Sequence, residues 1–403
     1  MKLMIEALTR IVRQSVWIGA LTFVSVETSL QVLLRTNTLK FHGVLQYPNI
    51  SSKEFKEYLE ARNPLTGWPS KLAHGKLYNR DGHRPSPEND KRPNSKQCIS
   101  VFGDSQGYGL DVPDSEAWTN LLAANLNCRV TNYSVPAYGT DQALLRYEQL
   151  NTNSEIAMLT FIDDNIRRNL IQYWDLGYGP IYIERTKPRF IFSKDRSLKL
   201  VPLPVNTIEK AVALNNWSFG KLFKYETFSP NSIHYKTAFQ PSFPYSFTLI
   251  GNAIVQNITK NSDSKIVSKS FLSGFVDTRL DPGSSIDNKE SLRLHAAILS
   301  RFVERCKERQ QKCLIVRLSP NFQNPGQESE SPISSFLEKD SRLSGYLVSS
   351  KYLASCINSE LKNKWKLKGN IDKRMPGGHY GKETNDGLAT CIARFTKQRL
   401  YLQ

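Results

Sequence analysis

From residue 96 onward, short apolar runs alternate with amphipathic ones. Residues 98–102, 129–134, 156–162 and 313–318 are rich in β-branched and other apolar side chains and read as buried strands. Between them, residues 117–126, 140–149 and 166–171 carry a helical spacing. The clearest helix lies at 291–310, where Leu292, Leu294, Ala297, Ile298, Phe302 and Val303 fall near one face. Residues 334–337 and 346–356 look helical, and 387–400 forms a closing helix. Strands that alternate with helices predict an α/β domain with a parallel sheet covered on both faces. The four strands are expected to be neighbours in that one sheet.

Two regions break the rhythm. Residues 173–287 hold many aromatics and prolines, among them Pro188, Pro202, Pro204, Pro230, Pro241 and Pro244, with short strands at 189–192 and 198–203. They read as an insertion that caps or walls the site, where Tyr173, Trp174, Tyr178 and Tyr182 are candidates to line a pocket. The other region is the N-terminus. Residues 1–14 mix apolar residues with Lys2, Arg10 and Arg13, and 16–26 is an uncharged, mostly apolar run. Basic residues ahead of such a run favour an N-terminus inside the cytoplasm, and no small-residue cleavage site follows. Residues 1–35 therefore read as an uncleaved signal anchor or transmembrane helix, the alternative being an amphipathic helix packed on the domain. Residues 36–95 read as a leader and loop region, with 85–96 exposed and His74 and His83 solvated. Residues 96–403 read as one α/β domain interrupted by that insertion.

Charge adds a partner class. The chain of 403 residues carries 54 Lys and Arg against 37 Asp and Glu, a net +17. That surface suits anionic partners such as acidic polysaccharide or lipid headgroups. No nucleic-acid module is present and the basic residues are scattered, so nucleic acid is not expected as a partner. Six cysteines lie at 98, 128, 306, 313, 356 and 391, none in Cys-x-x-Cys. Cys98 and Cys128 begin predicted core strands and read as buried thiols. Cys306 with Cys313, or Cys356 with Cys391, could pair in an oxidising compartment.

Candidate chemistry begins at Gly103-Asp104-Ser105. A strand breaks at Gly103, and Asp104 and Ser105 are good helix-start residues, so Ser105 falls at the carboxyl end of a strand, where open α/β sheets bind ligands. Tyr138-Gly139 repeats the pattern of strand, glycine turn and helix start. His379 lies just before the last helix and is the residue type that changes protonation near neutral pH. The remaining histidines precede the sheet, lie in the insertion or, as His295 does, lie within a helix. No Gly-x-Ser-x-Gly, His-Glu-x-x-His, P-loop or Gly-x-Gly-x-x-Gly occurs, so no metal or cofactor is expected.

In their order and spacing, these motifs resemble the SGNH/GDSL hydrolase superfamily, well over 96–169 and 312–402 and weakly over 173–287. The resemblance implies a flavodoxin-like three-layer sandwich with a central parallel sheet, an N-terminal membrane-anchor helix and a large insertion. Many membrane-anchored members close the hydrophobic segment with a glutamate and an arginine, as Glu27 and Arg35 do here. It also implies a catalytic Ser105 and His379, with oxyanion donors from the backbone N–H of Ser105, the backbone N–H of Gly139 and a side-chain amide after the third strand. That stretch reads Asp163-Asp164-Asn165, and Asn165 can donate where an ionised Asp164 cannot. An alternative alignment puts Asp164 in the amide's place, with Arg167 or Arg168 supplying positive charge. The family's aspartate three residues before the histidine is replaced by Pro376, so the imidazole needs another orienter: Asp372, a backbone carbonyl or an acid from the insertion. The implied activity is a serine esterase acting on acyl, and specifically acetyl, esters of an extracytoplasmic glycan. The alternatives are an O-acyltransferase using the same site and a catalytically silent glycan-binding domain.

Overall fold

The computed structural model describes residues 2–35, 52–69, 77–172, 186–204, 207, 246, 289–318, 332–368 and 379–400. The described residues fall in two compact units, one holding α1 (Lys2–Arg35) and the other covering 53–172, 186–204 and 289–400. In the first unit, Thr9–Leu33 is long and apolar enough to cross a membrane by length and composition. Its Val16, Trp17, Ile18 and Leu21 are exposed. Glu27 lies within the helix, is buried, and accepts the Ser246 N–H at 2.9 Å.

The second unit is the expected α/β sandwich. Its elements before the hairpin are α2 (Ser52–Ala61), α3 (Pro87–Asp90), β1 (Gln97–Phe102), α4 (Ser105–Tyr108), α5 (Trp118–Leu126), β2 (Arg129–Asn132), α6 (Thr140–Gln149), β3 (Ile156–Phe161) and α7 (Asp164–Arg168). A two-stranded antiparallel hairpin, β4 (Arg189–Phe192) and β5 (Leu198–Val201), follows. Then come α8 (Lys289–Glu308), β6 (Lys312–Arg317), α9 (Pro332–Glu338), β7 (Leu347–Val348), α10 (Ser350–Lys368) and α11 (Lys382–Leu400). The main sheet runs β2-β1-β3-β6-β7, parallel at every pairing. All four predicted strands are in it.

A parallel sheet buries both faces, and alternate side chains serve the two. Ile99, Val101, Ile156, Met158, Leu314 and Val316 join one core with Trp118, Leu122, Leu353, Ile357, Leu388 and Ile392 from α5, α10 and α11. On the other face Phe102 meets Tyr147 of α6 edge-on, Tyr147 meets Phe302 of α8, and Phe161 meets His295 of α8. The order places a switch point between β1 and β3, whose carboxyl ends open the ligand crevice of such sheets.

Several expectations need correction. Residue 346 does not begin a helix. Leu347–Val348 adds a fifth parallel strand, and the helix starts at Ser350. Two residues are too few to show a period of two. Only the second half of 85–96 is exposed; the first half carries α3, and Ser86 and Asn89 are buried. The Asn89 side chain donates to Val130 O at 2.8 Å and accepts Val130 N–H at 3.0 Å, covering the free edge of β2 as a strand would. His83 is not solvated either. It is half-buried, hydrogen-bonded to Asn79 and to Arg84 O, and burial pushes its pKa down. Cys98 and Cys128 are not thiols but a disulfide with Cα atoms 6.0 Å apart, because pairing of β1 with β2 brings them within bonding range. Cys356 and Cys391 form a second disulfide across α10 and α11, and Cys306 and Cys313 are free and buried. Tyr173, Trp174, Tyr178 and Tyr182 lie outside the described residues.

The buried His295 carries a pH signature. It is fully enclosed, its Nδ1 accepts from the Asn169 amide at 3.0 Å, and burial drives its pKa down to about 3. Between the ordinary value of 6.5 and about 3 the folded chain keeps this imidazole neutral while the unfolded chain protonates it. The unfolded state then binds more protons, so stability falls as pH falls through that window. His295→Leu is expected to flatten the dependence of unfolding free energy on pH between 6 and 4 by up to ~1.4 kcal/mol per pH unit, one proton's worth. Urea unfolding with an unchanged slope in the variant would refute the assignment.

Candidate active site

Ser105 sits three residues past β1, as the first residue of α4. The turn is forced by close approach. A Cβ on Gly103 or Gly107 would collide with Thr160 Oγ1 of β3, so glycine at both lets α4 lie directly against the neighbouring strand. Asp104 caps the helix, its Oδ1 accepting the N–H groups of Gln106 at 2.9 Å and Gly107 at 3.3 Å. From below, the Trp118 indole N–H donates to Gln106 O and Gly107 O at 3.2 and 3.1 Å. Ser105 itself is nearly buried, and its hydroxyl has no hydrogen-bond partner among the described residues.

Asp104 is fully enclosed. Burial raises its pKa, against which the Arg168 guanidinium and the two backbone N–H groups work. Arg168 Nη1 stands 3.7 Å from Asp104 Oδ2, and Arg168 Nε pairs with Asp164 at 2.9 Å. This buried cation therefore joins the Ser105 turn to the segment after β3.

The loop leaving α4 returns to the histidine. Leu110 N–H donates to Ser105 O at 3.0 Å, and the next residue, Asp111, places Oδ2 2.8 Å from His379 Nδ1. His379 is partly covered, 15% of its side chain exposed against 29% for Asp111, so water reaches the pair but does not surround it. The histidine segment is held by Asn385 of α11. Its Nδ2 donates to Tyr380 O at 3.1 Å and Gly381 O at 2.9 Å, and its Oδ1 accepts Trp118 N–H at 3.0 Å. Lys382 adds an ion pair with Glu116 at 2.6 Å. Ser105, Asp111 and His379, which span 274 positions of sequence (379 − 105), thus hang on one loop and one helix start.

The sequence does not single out Asp111 as an orienter. It lies between Gly109 and Pro113 in a loop just past the nucleophile candidate, but nothing in the chain's order ties it to residue 379. Its backbone is in the left-handed region at φ 72, sparsely used by non-glycine residues. Asp372 and Pro376 lie outside the described residues.

Two of the three expected oxyanion donors have other partners. Gly139 N–H donates to Gln142 Oε1 at 3.1 Å as part of a capping box at the start of α6. A Cβ on Gly139 would also collide with Asp141 Oδ1, so this packing favours glycine there. Asn165 is buried. Its Oδ1 accepts Ile162 N–H at 2.7 Å and its Nδ2 donates one hydrogen to Tyr138 O at 2.8 Å, leaving the second amide hydrogen. Arg168 Nη1 reaches the same Tyr138 carbonyl at 3.0 Å. Asp163 is bound at both oxygens by Arg317, each at 2.6 Å, and Asp164 pairs with Arg167 and Arg168. Behind Gly139, Asp141 pairs with the fully buried Lys187, whose ammonium also donates to the carbonyls of Arg168, Ile171 and Pro188. Among the described residues no cluster of His, Cys, Asp and Glu is arranged to hold a metal ion.

No family model matches this chain, and no curated protein matches it. Among solved structures, one from Desulfitobacterium hafniense DCB-2, named for the G-D-S-L family of lipolytic proteins, aligns over 74% of this chain and 99% of its own, with 9% identity and a TM-score of 0.32.

Proposed function

We infer that this chain is a serine esterase of the SGNH/GDSL type, anchored by α1, that cleaves acyl esters of an extracytoplasmic glycan. The observation that carries the reading is the His379–Asp111 hydrogen bond, made from the loop whose Leu110 N–H closes on Ser105 O. It supplies the orienting acid that Pro376 denies to the usual position. With Nδ1–H given to Asp111, the lone pair is on Nε2, the nitrogen then able to act as base. Ser105 Oγ attacks the acyl carbon while Nε2 takes its proton. The oxyanion forms beside the Ser105 N–H, and Nε2 returns the proton to the departing sugar hydroxyl. Water then repeats the sequence on the acyl-enzyme; a second sugar hydroxyl in its place would make the reaction a transfer. The Asp111 carboxylate stabilises the imidazolium.

The setting supports this location. Two disulfides fit an oxidising compartment, the apolar span of α1 fits an anchor, and the net charge of +17 fits an acidic polysaccharide. A second reading, a silent glycan-binding domain, is favoured by one observation: the Gly139 N–H is committed to Gln142. In the active reading Gln142 turns away when the oxyanion forms, and Gly139 and the free hydrogen of Asn165 donate to it.

Three outcomes are expected. Ser105→Ala and His379→Ala each abolish cleavage of a small acetyl ester, and the double variant is little worse than either, because the pair acts as a unit. Asp111→Ala lowers kcat by roughly 10²–10⁴, the range for losing a group that orients a catalytic base, while Asp372→Ala leaves it nearly unchanged. Wild type that hydrolyses no short-chain ester and whose Ser105 resists a fluorophosphonate probe would overturn the enzyme in favour of the silent domain. For location, a reporter active only in the cytoplasm, fused after Gln403, is expected to be inactive; full activity would place the domain on the wrong side.

A further inference from the structure

Asp111 holds an unfavourable backbone conformation, and the chain must over-determine it for the residue to meet His379 in one place. The contacts responsible come from Arg84, ahead of the sheet in the segment read from sequence as a leader. Arg84 is 3% exposed. Its guanidinium is spent almost entirely on the loop that carries Asp111. Nη1 donates to Tyr108 O and Gly109 O, both at 2.5 Å, Nη2 donates to Val112 O at 2.7 Å, and Nε pairs with Asp114 at 2.9 Å. Its Cζ also lies 4.5 Å from the centre of the Tyr108 ring. These partners bracket residue 111 on both sides. The arginine is itself fixed to the sheet, since its own N–H donates to Asn132 O at the end of β2 at 2.9 Å.

We propose that Arg84 is a positioning residue for the His379–Asp111 pair, setting the loop that brings Asp111 Oδ2 onto Nδ1. The assignment rests on the esterase reading for its kinetic consequence but not for its geometry. A planar fork with five donors can take three carbonyls and a carboxylate at once; a lysine ammonium has three donors radiating from a single point and cannot span the same arc. Arg84 touches neither Ser105 nor His379. It acts through Asp111, and that is what a test must separate from general support of the fold.

The test is a double-variant cycle on the full chain in detergent, with p-nitrophenyl acetate as substrate. Arg84→Ala is expected to lower kcat about 10- to 100-fold with little change in KM, the scale for misplacing a catalytic group. Made on top of Asp111→Ala, it should cost about twofold or less, because the residue it positions is already gone. Losses that multiply would overturn the proposal and leave Arg84 as a fold residue. Guanidinium ion added to the Arg84→Ala protein should restore part of kcat only while Asp111 is present; equal rescue in both backgrounds contradicts it. If Arg84→Ala does not fold, Arg84→Lys serves, and is expected to lose activity despite keeping the charge.

An activity-free measurement separates this proposal from the esterase reading. In protein labelled with ¹⁵N-histidine, the hydrogen-bonded Nδ1–H signal of His379 should be present in wild type and lost in both Asp111→Ala and the Arg84 variant. Loss in Asp111→Ala with retention in the Arg84 variant refutes positioning whether or not the protein hydrolyses esters. A wild type without esterase activity in which both substitutions remove the signal would retire the esterase and keep Arg84's role.

Discussion

Asp141 and Lys187 are both sealed from solvent, and each can be charged there only because the other is. Burial alone pushes the Asp141 pKa up, with Lys187 the largest force opposing it. Removing one member of such a pair strands a buried charge at a cost of about 3–5 kcal/mol. That constraint fixes where three pieces of chain must meet: the start of α6, the end of α7, whose carbonyls Lys187 also takes, and the strand entering the hairpin. Asp141 in turn fills the space beside Gly139, and its N–H reaches Asn169, whose amide holds His295 in the core under α8. One rim of the crevice is therefore set by a charge that cannot be left alone.

The other rim is built on a second buried charge. Arg84 satisfies its guanidinium on carbonyls of the loop after α4, and the histidine segment docks on the same loop through Asn385, Trp118 and the Lys382–Glu116 pair. Arg168 links the two rims, reaching Tyr138 O on one side and facing Asp104 on the other. Ser105 lies where these constraints converge, with its hydroxyl unengaged among described partners.

This frame bears on the contrast between an active and a silent site. In the proposed reading the nucleophile, base and acid are Ser105, His379 and Asp111, of which a hydrogen bond joins His379 to Asp111. The donors proposed for the oxyanion are only partly available, because Gln142 occupies the Gly139 N–H and Tyr138 O takes one hydrogen of Asn165. Gln142 is itself held at its other end, its Nε2 donating to Thr66 O at 2.8 Å. The difference between the two readings thus comes down to whether one glutamine side chain yields when negative charge develops.

The repeating part of the fold was legible in the sequence because its signal is local. Apolar runs at 98–102, 129–134, 156–162 and 313–318 identified four strands, and the 3.6-residue period identified the long helices, since the core-facing pattern is written into consecutive residues. Gly103-Asp104-Ser105 likewise showed a nucleophile candidate at a strand end, because turn and cap chemistry is local too. The two-residue strand Leu347–Val348 was invisible, being shorter than the period that would reveal it. Asn89 and Arg84 looked like loop residues because polar side chains announce exposure, and only the edge of β2 and the loop after α4 give them partners. Asp111 joins His379, Cys98 joins Cys128, and Lys187 joins Asp141 across 268, 30 and 46 positions. Such pairings are decided by where the sheet order carries each segment, and sequence has no term for that distance.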